Sequence, residues 1–505
     1  MPEKSRTPKP GPKKERSYFS RMLWKYENKY LNTLSAPKMA GITGYNTSTI
    51  SGWLNGSSKT KVPYLFVLSC ASALGLSPEE TAELVTAYEK DKYGTKKVRK
   101  KKCVNQFLSS LHEGILLAEE SSQGAPVFAA FSGSDPITIL NTPAQLSAAL
   151  EILCREEDSQ EGIDLFLPGS FPELGRILCE NADRKVTQIF SLVSSHADPE
   201  GGAVILSYLR SLIPALYSCG LYRTFYYYNE GKDPSIPFPW FACTSKSVLI
   251  VSGGCRNGML LQSRKAARLY RQSFADLLER SNPFVESEAP DAAALPYYEQ
   301  LVVDLHTPAY SLELSSCLSL FISGYVLDSL QKELSDRIPP ELADMLGPFL
   351  DYIGRLQKGY QDFKVVTYFS EGGIREFIET GWIYALPEAM LPIPPHLRLV
   401  ILQKMLEDFD KYELYMIRKE FPEENMKFRL YVCGDRGYIQ LNSKDNAVLT
   451  LDIRNNTLLG LLSNYFETLN EDFAWSKEES KRRLALLVEE CDRSLPRTKA
   501  SEKKK

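Results

Sequence analysis

The stretch TGYNTSTISGWLNG, residues 43–56, contains no charged side chain, although it lies within the most basic part of the chain. Gly44 stands where a sharp turn requires a positive φ, and Asn46 or Thr47 can cap a helix that follows the turn. Before the turn, the sequence Ser35-Ala-Pro is typical of another helix start. The stretch therefore predicts two short helices joined by a glycine turn.

The second of these helices is predicted to bury one face and to expose the other. Ile50 and Trp53 are three residues apart, so they share a face that we expect to pack inward. The opposite face carries small residues: Thr47, Ser48, Ser51 and Gly52. Because this surface has little bulk, it can approach the floor of a groove closely.

The flanking segments complete a five-helix unit. YFSRMLWKYENKYL (18–31) spaces its apolar residues at helical intervals, and VPYLFVLSCASALGL (62–76) begins with a proline and stops at a glycine. SPEETAELVTAYEK (77–90) opens with Ser77 and Glu80, the pattern of a capping box.

Residues 19–89 resemble the Cro and phage-repressor type of helix-turn-helix domain, the XRE family. The match runs without a gap over 35–56, and its characteristic positions are Ala40, Gly44, the Ser-Thr-Ile-Ser run at 48–51, Trp53 and Asn55-Gly56. Three positions depart from the family pattern: Ala36, where Gln often contacts phosphate, Thr43, which is usually apolar, and Gly52, which is often Arg. The resemblance implies a domain that binds double-stranded DNA.

In such domains the second helix lies in the major groove with its first residues at base edges, while neighbouring loops hold phosphates. The resemblance therefore implies base-edge contacts for Thr47, Ser48, Thr49 and Ser51. The family uses the position of Thr49 in two ways, to contact DNA and to brace the turn. Phosphate contacts are implied for Asn55, Lys59 and Lys61, and for the basic arm at 1–17.

The charge of the chain is unevenly distributed. Residues 1–102 hold 20 Lys and Arg against 8 Asp and Glu, a balance of +12, whereas the remainder holds 40 against 55, or −15. The basic end suits a polyanionic partner and the rest does not. With 505 residues, of which 43% are apolar and 24% charged, the chain has the composition of a multidomain soluble protein.

No targeting or metal-binding signal is found in the sequence. It has no run of about 18 uncharged apolar residues and no apolar signal segment at its N-terminus, so we expect a cytoplasmic protein. The ten cysteines are scattered without a CxxC pair, which predicts reduced, buried thiols. We expect no metal and no cofactor.

A basic segment and a helix are predicted over 93–123. TKKVRKKK (95–102) precedes a stripe of apolar residues at spacings of three and four: Val104, Phe107, Leu108, Leu111, Ile115 and Ala118. The stripe fits a helix that joins two chains into a homodimer. It fits equally a helix packed on the next domain of its own chain.

The remaining bulk has mixed strand and helix signals, typical of a large α/β region. Strands are predicted at APVFAAF, IDLFLPG, TQIFSLV, YRTFYYY, PWFACT and SVLIVSG, with helices between or after them. NPFVESEAPDAAALP (282–296) is predicted to be a linker between two sensor-like domains, 124–285 and 298–495, before a disordered tail at 496–505.

The second of these domains is predicted to begin with a helical segment and then to repeat the first. Residues 298–360 have a helical pattern throughout. The order of helices and strands over 394–472 matches that around 205–280, which indicates an internal duplication.

The first half of this region faintly resembles a phospholipase D type fold, a catalytically silent version of which serves as a sensor in a few transcription regulators. Phospholipase D chemistry requires a His with a Lys two residues later, and no His of the chain has one: His112, His196, His306 and His396. HExxH, GxSxG and Walker motifs are also missing. Cys255 has glycine neighbours typical of a reactive thiol or, more simply, of a turn. We expect no enzymatic activity.

An aromatic run, FYYY, begins at Phe225. In a strand, Phe225 and Tyr227 face one side while Tyr226 and Tyr228 face the other. With Trp240 these residues are candidates for an aromatic ligand pocket, and packing of a sheet against helices is the alternative.

Together these features predict a multidomain, bacterial-type transcription regulator. An all-α, five-helix helix-turn-helix domain (18–92) would bind DNA, and the large mixed α/β region would sense a small-molecule or peptide effector or mediate assembly. One alternative is a scaffold that uses the same five helices to contact protein. The other is an enzyme with an appended targeting domain.

Overall fold

The computed structural model describes residues 17–58, 60–111, 136–157, 160–192, 203–218, 221–228, 240–288, 309–314, 318–333, 346–362, 365–383, 392–418, 428–442, 448–469 and 473–494. The chain divides into two compact units, Met1–Lys102 and Cys103–Lys505.

The described part of the first unit consists of helices and their connections. In chain order these are α1 (Tyr18–Tyr30), α2 (Ala36–Thr43), α3 (Thr47–Asn55), α4 (Tyr64–Leu74), α5 (Pro78–Tyr93) and α6 (Thr95–Ser109), and the boundary between the units falls within α6. The core contains one group of buried side chains: Phe19, Leu23, Tyr26, Leu34, Met39, Ile50, Trp53, Phe66, Val67, Cys70, Ala71, Leu74, Leu84 and Tyr88.

Local sequence explains where these helices begin and end. The Ser35 side chain accepts a hydrogen bond from the Lys38 amide at the start of α2, and Gly44 ends α2 with a φ of 74°. Ser77 and Glu80 form a reciprocal capping box at the start of α5. These three boundaries are therefore set by a side chain or a glycine within a few residues of each.

The second unit contains ten further helices in its described part. They are α7 (Pro143–Glu156), α8 (Leu174–Glu180), α9 (Ala203–Ser218), α10 (Arg264–Leu278), α11 (Gly324–Glu333), α12 (Leu346–Asp362), α13 (Glu371–Thr380), α14 (Pro395–Glu407), α15 (Asn456–Phe466) and α16 (Lys477–Ser494).

Its strands form two mixed sheets. The first sheet contains β1 (Ile137–Leu140), β2 (Ile163–Phe166), β3 (Val186–Leu192), β4 (Tyr222–Tyr228), β5 (Trp240–Cys243), β6 (Val248–Val251), β7 (Gly258–Leu261) and β8 (Asn282–Pro283). The second contains β9 (Val285–Glu288), β10 (Ala309–Glu313), β11 (Val366–Phe369), β12 (Glu413–Met416), β13 (Phe428–Cys433), β14 (Arg436–Asn442) and β15 (Val448–Ile453).

The two sheets have the same topology, strand for strand, apart from the additional β8. Their orders are β1-β7-β6-β5-β2-β3-β4-β8 and β9-β15-β14-β13-β10-β11-β12, the second being given from its β9 end. In the first sheet β2, β3 and β4 are parallel, and β5, β6, β7 and β1 are then added antiparallel, in that order. In the second sheet β10, β11 and β12 are parallel, and β13, β14, β15 and β9 are then added antiparallel, in that order. A helix then follows, α10 in the first half and α15 in the second.

One short segment, 282–288, belongs to both sheets. Its first part, β8, pairs antiparallel with β4, and its second part, β9, pairs antiparallel with β15. Between them the Phe284 amide donates to the Thr224 carbonyl at 3.0 Å. The two halves are thus joined along a continuous stretch of hydrogen-bonded backbone.

The halves also share a hydrophobic core. One cluster of buried side chains includes Leu165 and Leu249 from the first sheet and Leu312, Leu430 and Leu451 from the second. The other face of the first sheet packs under α10, and the other face of the second sheet packs under α11, α12, α13, α14 and α16.

The apolar stripe after the basic segment lies in this core. Val104, Phe107, Leu108 and Leu111 are buried in the cluster that the two halves share. These side chains are therefore not available as the seam of a dimer, and of the two interpretations of the stripe the structure favours packing on its own domain. Ile115 and Ala118 lie outside the described residues.

Two sequence expectations for the second unit differ from the structure. The segment 282–296 is predicted to be a linker, but its first seven residues form β8, β9 and the residue between them. The predicted helix over 298–360 is interrupted by the strand β10. The sequence patterns also did not predict strands β1, β7 and β11 or helices α7, α13 and α16. The predicted strand APVFAAF lies outside the described residues.

Candidate nucleic-acid interface

Helix α3 begins at a side-chain cap. The Asn46 side chain accepts hydrogen bonds from both the amide and the hydroxyl of Ser48, each at 2.9 Å. Gly56 ends the helix in the left-handed conformation, with a φ of 67°. A Cβ at Gly56 would lie only 2.9 Å from the hydroxyl oxygen of Ser20. Because glycine has no side chain, the end of α3 can lie close against α1.

The inward face of α3 is anchored by Trp53. Ile50 and Trp53 are buried, as their spacing predicts. The Trp53 ring lies edge-on to Tyr45 with centroids 5.1 Å apart, and it is 4.9 Å from the ring of Phe66. Its indole N–H donates to Thr60 Oγ1 at 3.1 Å. Helix α3 is thereby held to α4 and to the residues that follow its own end.

The outward face of α3 is a row of small polar side chains. Thr47, Ser48, Ser51 and Asn55 are exposed, and Thr49 is half-buried at the edge of the row. Three of them, Thr47, Ser51 and Asn55, are spaced by four residues and therefore lie above one another on a single face. The Asn55 amide is 3.5 Å from Ser51 Oγ, a long hydrogen bond that leaves the donors and acceptors of the row available to a partner.

Gly52 does not belong to this outward row, contrary to the sequence expectation. It is half-buried, and its carbonyl accepts the amides of Ser57 at 2.9 Å and Ser58 at 3.1 Å. A Cβ at Gly52 would lie 3.0 Å from the Cβ of Ser58. The chain folds back over Gly52, because the helix ends only three residues later, and this turn occupies the space beside Gly52 that a larger side chain would need.

The positions predicted to contact phosphate are only partly described. Asn55 and Lys61 are exposed near the end of α3. Lys59 and residues 1–16 of the basic arm lie outside the described residues. Thr43, one of the departures from the family pattern, donates its hydroxyl to the Met39 carbonyl at 2.7 Å, which satisfies this polar group within α2.

The acidic side chains of the first unit are held in internal contacts. All six in its described part accept a hydrogen bond from within the unit: Glu27, Glu79, Glu80, Glu83, Glu89 and Asp91. Glu80 pairs with Lys29 and accepts the Tyr30 hydroxyl at 2.6 Å, and these contacts lower its pKa to about 2. Because α3 itself carries no charge, no carboxylate of this helix repels a phosphate backbone.

Two residues that support α3, Tyr45 and Thr60, are not singled out by the sequence pattern. A buried indole N–H needs a hydrogen-bond acceptor, so a hydroxyl soon after Trp53 was a usable signal for Thr60. The role of Tyr45 depends on the turn angle between α2 and α3, which local sequence does not specify.

The aromatic candidates in the second unit lie on two faces of one sheet. Phe225 and Tyr227 pack in the cluster under α10, where the rings of Tyr227 and Trp240 are 6.0 and 5.0 Å from that of Phe166. Tyr226 and Tyr228 face the other side. The strand thus separates the two pairs, so the five residues do not line one common pocket.

Tyr226 and Tyr228 lie at the junction of the halves. Their rings are edge-on at 5.4 Å, and the Tyr228 hydroxyl is 2.8 Å from the hydroxyl of Thr457 in α15. This contact connects β4 in the first half to α15 in the second.

Cys255 lies in a turn and is buried. Its φ is 50°, and burial raises the pKa of its thiol, which disfavours the nucleophilic thiolate. Among the described residues, no cluster of His, Cys, Asp and Glu could hold a metal ion, and no helix is long and apolar enough to cross a membrane.

No family model and no curated protein matches the chain. Solved structures with similarity to it include TrmBL2, an archaeal chromatin protein with a novel mode of DNA binding, and the phosphatidylserine synthase of Haemophilus influenzae Rd KW20. TrmBL2 is 10% identical with a TM-score of 0.22, over 52% of this chain and 99% of that one. The synthase is 11% identical with a TM-score of 0.21, over 75% and 97%. At such scores neither likeness defines the fold or the function of this chain.

Proposed function

We propose that the chain is a DNA-binding transcription regulator whose first unit is an XRE-type helix-turn-helix domain. One observation supports this above all others. Helix α3 follows α2 across a glycine in the left-handed conformation, buries Trp53, and presents Thr47, Ser48 and Ser51 outward. This is the pattern in which a helix enters the major groove with short donors and acceptors toward the base edges.

In this proposal Asn55 and Lys61 contact phosphates beside α3, as do Lys59 and the basic arm. Hydroxyl groups discriminate between bases less sharply than a bidentate Arg does. Specificity therefore draws on the shape of the groove and on the pairing of two domains on one operator. The finer assignment of the domain to the XRE family rests on the sequence match over 35–56.

The second unit is proposed to regulate rather than to catalyse. The repeated topology of its two sheets supports an internal duplication, and we assign each half to the phospholipase D type without the His and Lys that its chemistry requires. Regulation requires an effector that binds two arrangements of the protein with different affinity, because equal affinity shifts neither. A small molecule, a peptide or a second copy of the chain can fill this role.

Selection of bound sequences from a random pool of duplex DNA tests the proposal directly. The full chain is expected to enrich one short motif, and its affinity for that motif is expected to fall steeply as salt concentration rises. A chain that enriches no motif and binds duplex DNA no better than an acidic protein of equal size would favour the scaffold in which the same helices contact protein.

A further inference from the structure

The first half of α6 carries a dense and acid-free group of cations. The helix begins with TKKVRKKK, and Thr95–Ser109 contains no Asp or Glu. Sequence alone presents this run as a basic linker. In the structure it is a helix with distinct inner and outer faces.

Two residues of the run face inward. Val98 is buried, and so is Lys101, whose ammonium group forms an ion pair with Glu89 of α5 at 2.6 Å. Val98 and Lys101 are three residues apart and fix the rotation of α6 about its axis. The neighbouring cations are consequently turned away from α5.

The outward face carries Lys96, Arg99 and Lys100, with Lys102 at its border. Lys96, Arg99 and Lys102 are exposed and Lys100 is half-buried. Within the described part of the chain, none of these four side chains forms a hydrogen bond or an ion pair. By contrast, Lys25, Lys29 and Lys101 of the same unit each pair with a carboxylate.

This arrangement is unfavourable for the isolated helix. Lys96 with Arg99 and Lys96 with Lys100 are like-charge pairs at i, i+3 and i, i+4, and each such pair destabilises a helix by about 0.2–0.5 kcal/mol. A single Glu on this face would relieve the repulsion. A bound polyanion would also relieve the repulsion between these cations. Duplex DNA is such a polyanion, and each of its strands carries one phosphate per about 3.4 Å of helix axis.

We propose that the outward face of α6, formed by Lys96, Arg99 and Lys100, is a second phosphate-binding surface that contacts duplex DNA. This inference rests on the proposed function of the first unit. Lys96 and Lys100 are one helical turn apart, about 6 Å along the axis, so the three cations can engage neighbouring phosphates of the duplex. It adds affinity without base specificity.

The test uses the full chain and the variant K96Q/R99Q/K100Q, because Gln removes the charges and keeps good helix propensity. Fluorescence anisotropy with a labelled duplex, in a KCl series of about 50–200 mM, gives the slope of log K against log salt. Each lost phosphate contact reduces the magnitude of the slope by about 0.9, so the expected reduction is about 2–3 for selected and random duplexes alike.

The matched control is R264Q/K265Q/R268Q, which removes three exposed cations from α10 in the second unit. It is expected to leave the slope unchanged. An equal reduction in both variants would show an effect of net charge and would overturn the proposal. Circular dichroism melting is expected to show that K96Q/R99Q/K100Q is folded and no less stable than the parent.

The two proposals fail in different ways. A chain that selects a DNA motif but keeps its salt slope in K96Q/R99Q/K100Q overturns the role of α6 alone. A chain that binds no duplex overturns both. Vesicles of phosphatidylserine and phosphatidylcholine provide a third arm: if K96Q/R99Q/K100Q loses vesicle binding and retains the DNA slope, the surface belongs to an anionic membrane instead.

Discussion

The indole N–H of Trp53 donates to Thr60 Oγ1 at 3.1 Å, which connects the buried face of α3 to the chain that leaves it. The same turn covers Gly52 and carries the Ser58 hydroxyl, 2.7 Å from that of Thr60. The exposed row of α3 is thus held in place by Trp53 on the opposite, buried face of the helix, a side chain that a DNA partner would not contact.

Replacing Trp53 with Ala is expected to destabilise the first unit by ~3–5 kcal/mol, since it removes a large buried ring. Trp53→Phe keeps most of the apolar contact and loses the hydrogen bond to Thr60, so its cost is expected to be about 1 kcal/mol or somewhat more. Urea unfolding followed by circular dichroism measures both. A Trp53→Ala variant that keeps its stability and loses only DNA binding would place Trp53 on the contact surface.

Replacing Ser48 or Ser51 with Glu is expected to abolish specific DNA binding and to leave the fold intact. Both side chains are exposed, and a carboxylate at either site adds bulk and negative charge where phosphates approach. Ser72→Glu, at an exposed position in α4, is the matched control and is expected to retain binding. A sharp fall in melting temperature for Ser48→Glu would show that the serine packs inward.

Replacing Leu31 with Gly is expected to stabilise the first unit by about 0.5–1 kcal/mol. Leu31 ends α1 with a φ of 48°, a conformation that is strained for a residue with a Cβ, and its side chain is 94% exposed. Glycine relieves the strain and loses almost no packing, although its freedom in the unfolded chain offsets part of the gain. Leu65→Gly, at an exposed position inside α4, should instead destabilise by about 1 kcal/mol. A lower melting temperature for Leu31→Gly would reveal that the leucine side chain makes a stabilising contact.

Asp164 is expected to make the stability of the second unit depend on pH. Burial raises its pKa to about 6 although Arg271 lies 3.7 Å away. The folded chain therefore binds a proton more tightly than the unfolded chain, so stability is highest below the ordinary pKa of about 3.9 and falls as pH rises to about 6. Asp164→Asn should raise the free energy of unfolding at pH 7, by at most about 3 kcal/mol, and have little effect at pH 4.

The control for this prediction is Asp183→Asn, whose side chain is largely exposed. Urea unfolding of both variants at the two pH values measures the difference. If Asp164→Asn destabilises the protein equally at pH 4 and pH 7, the ion pair with Arg271 outweighs the cost of burial.

Sequence predicted the first unit well where structure depends on neighbouring residues. The starts at Ser35 and Asn46 and the turn at Gly44 follow from caps and φ requirements that act over three or four residues. The burial of Ile50 and Trp53 follows from helical spacing alone. Gly52 was misplaced because its surroundings depend on a turn that folds back after the helix has ended.

The second unit was less predictable because its strands find their partners far along the chain. Strand β10 pairs with β11, more than fifty residues later, and its short sequence AYSLE lies among helical patterns. The segment VESE in β9 is acidic and resembles a linker by composition, yet it pairs with β15. Similarly, the apolar stripe that includes Val104 and Phe107 predicts a buried helix face, but it does not indicate which part of the protein packs on that face.

The segment 282–288 has a practical consequence for dissecting this protein. A fragment that stops before it leaves β4 without β8, and a fragment that starts after it leaves β15 without β9. Either cut uncovers the backbone of a strand edge, and open edges of this kind attract other chains. Separately expressed halves are therefore expected to aggregate, and limited proteolysis of the intact protein is expected to spare this segment. The two halves, although their sheets match in topology, therefore cannot be separated at this segment without opening a strand edge.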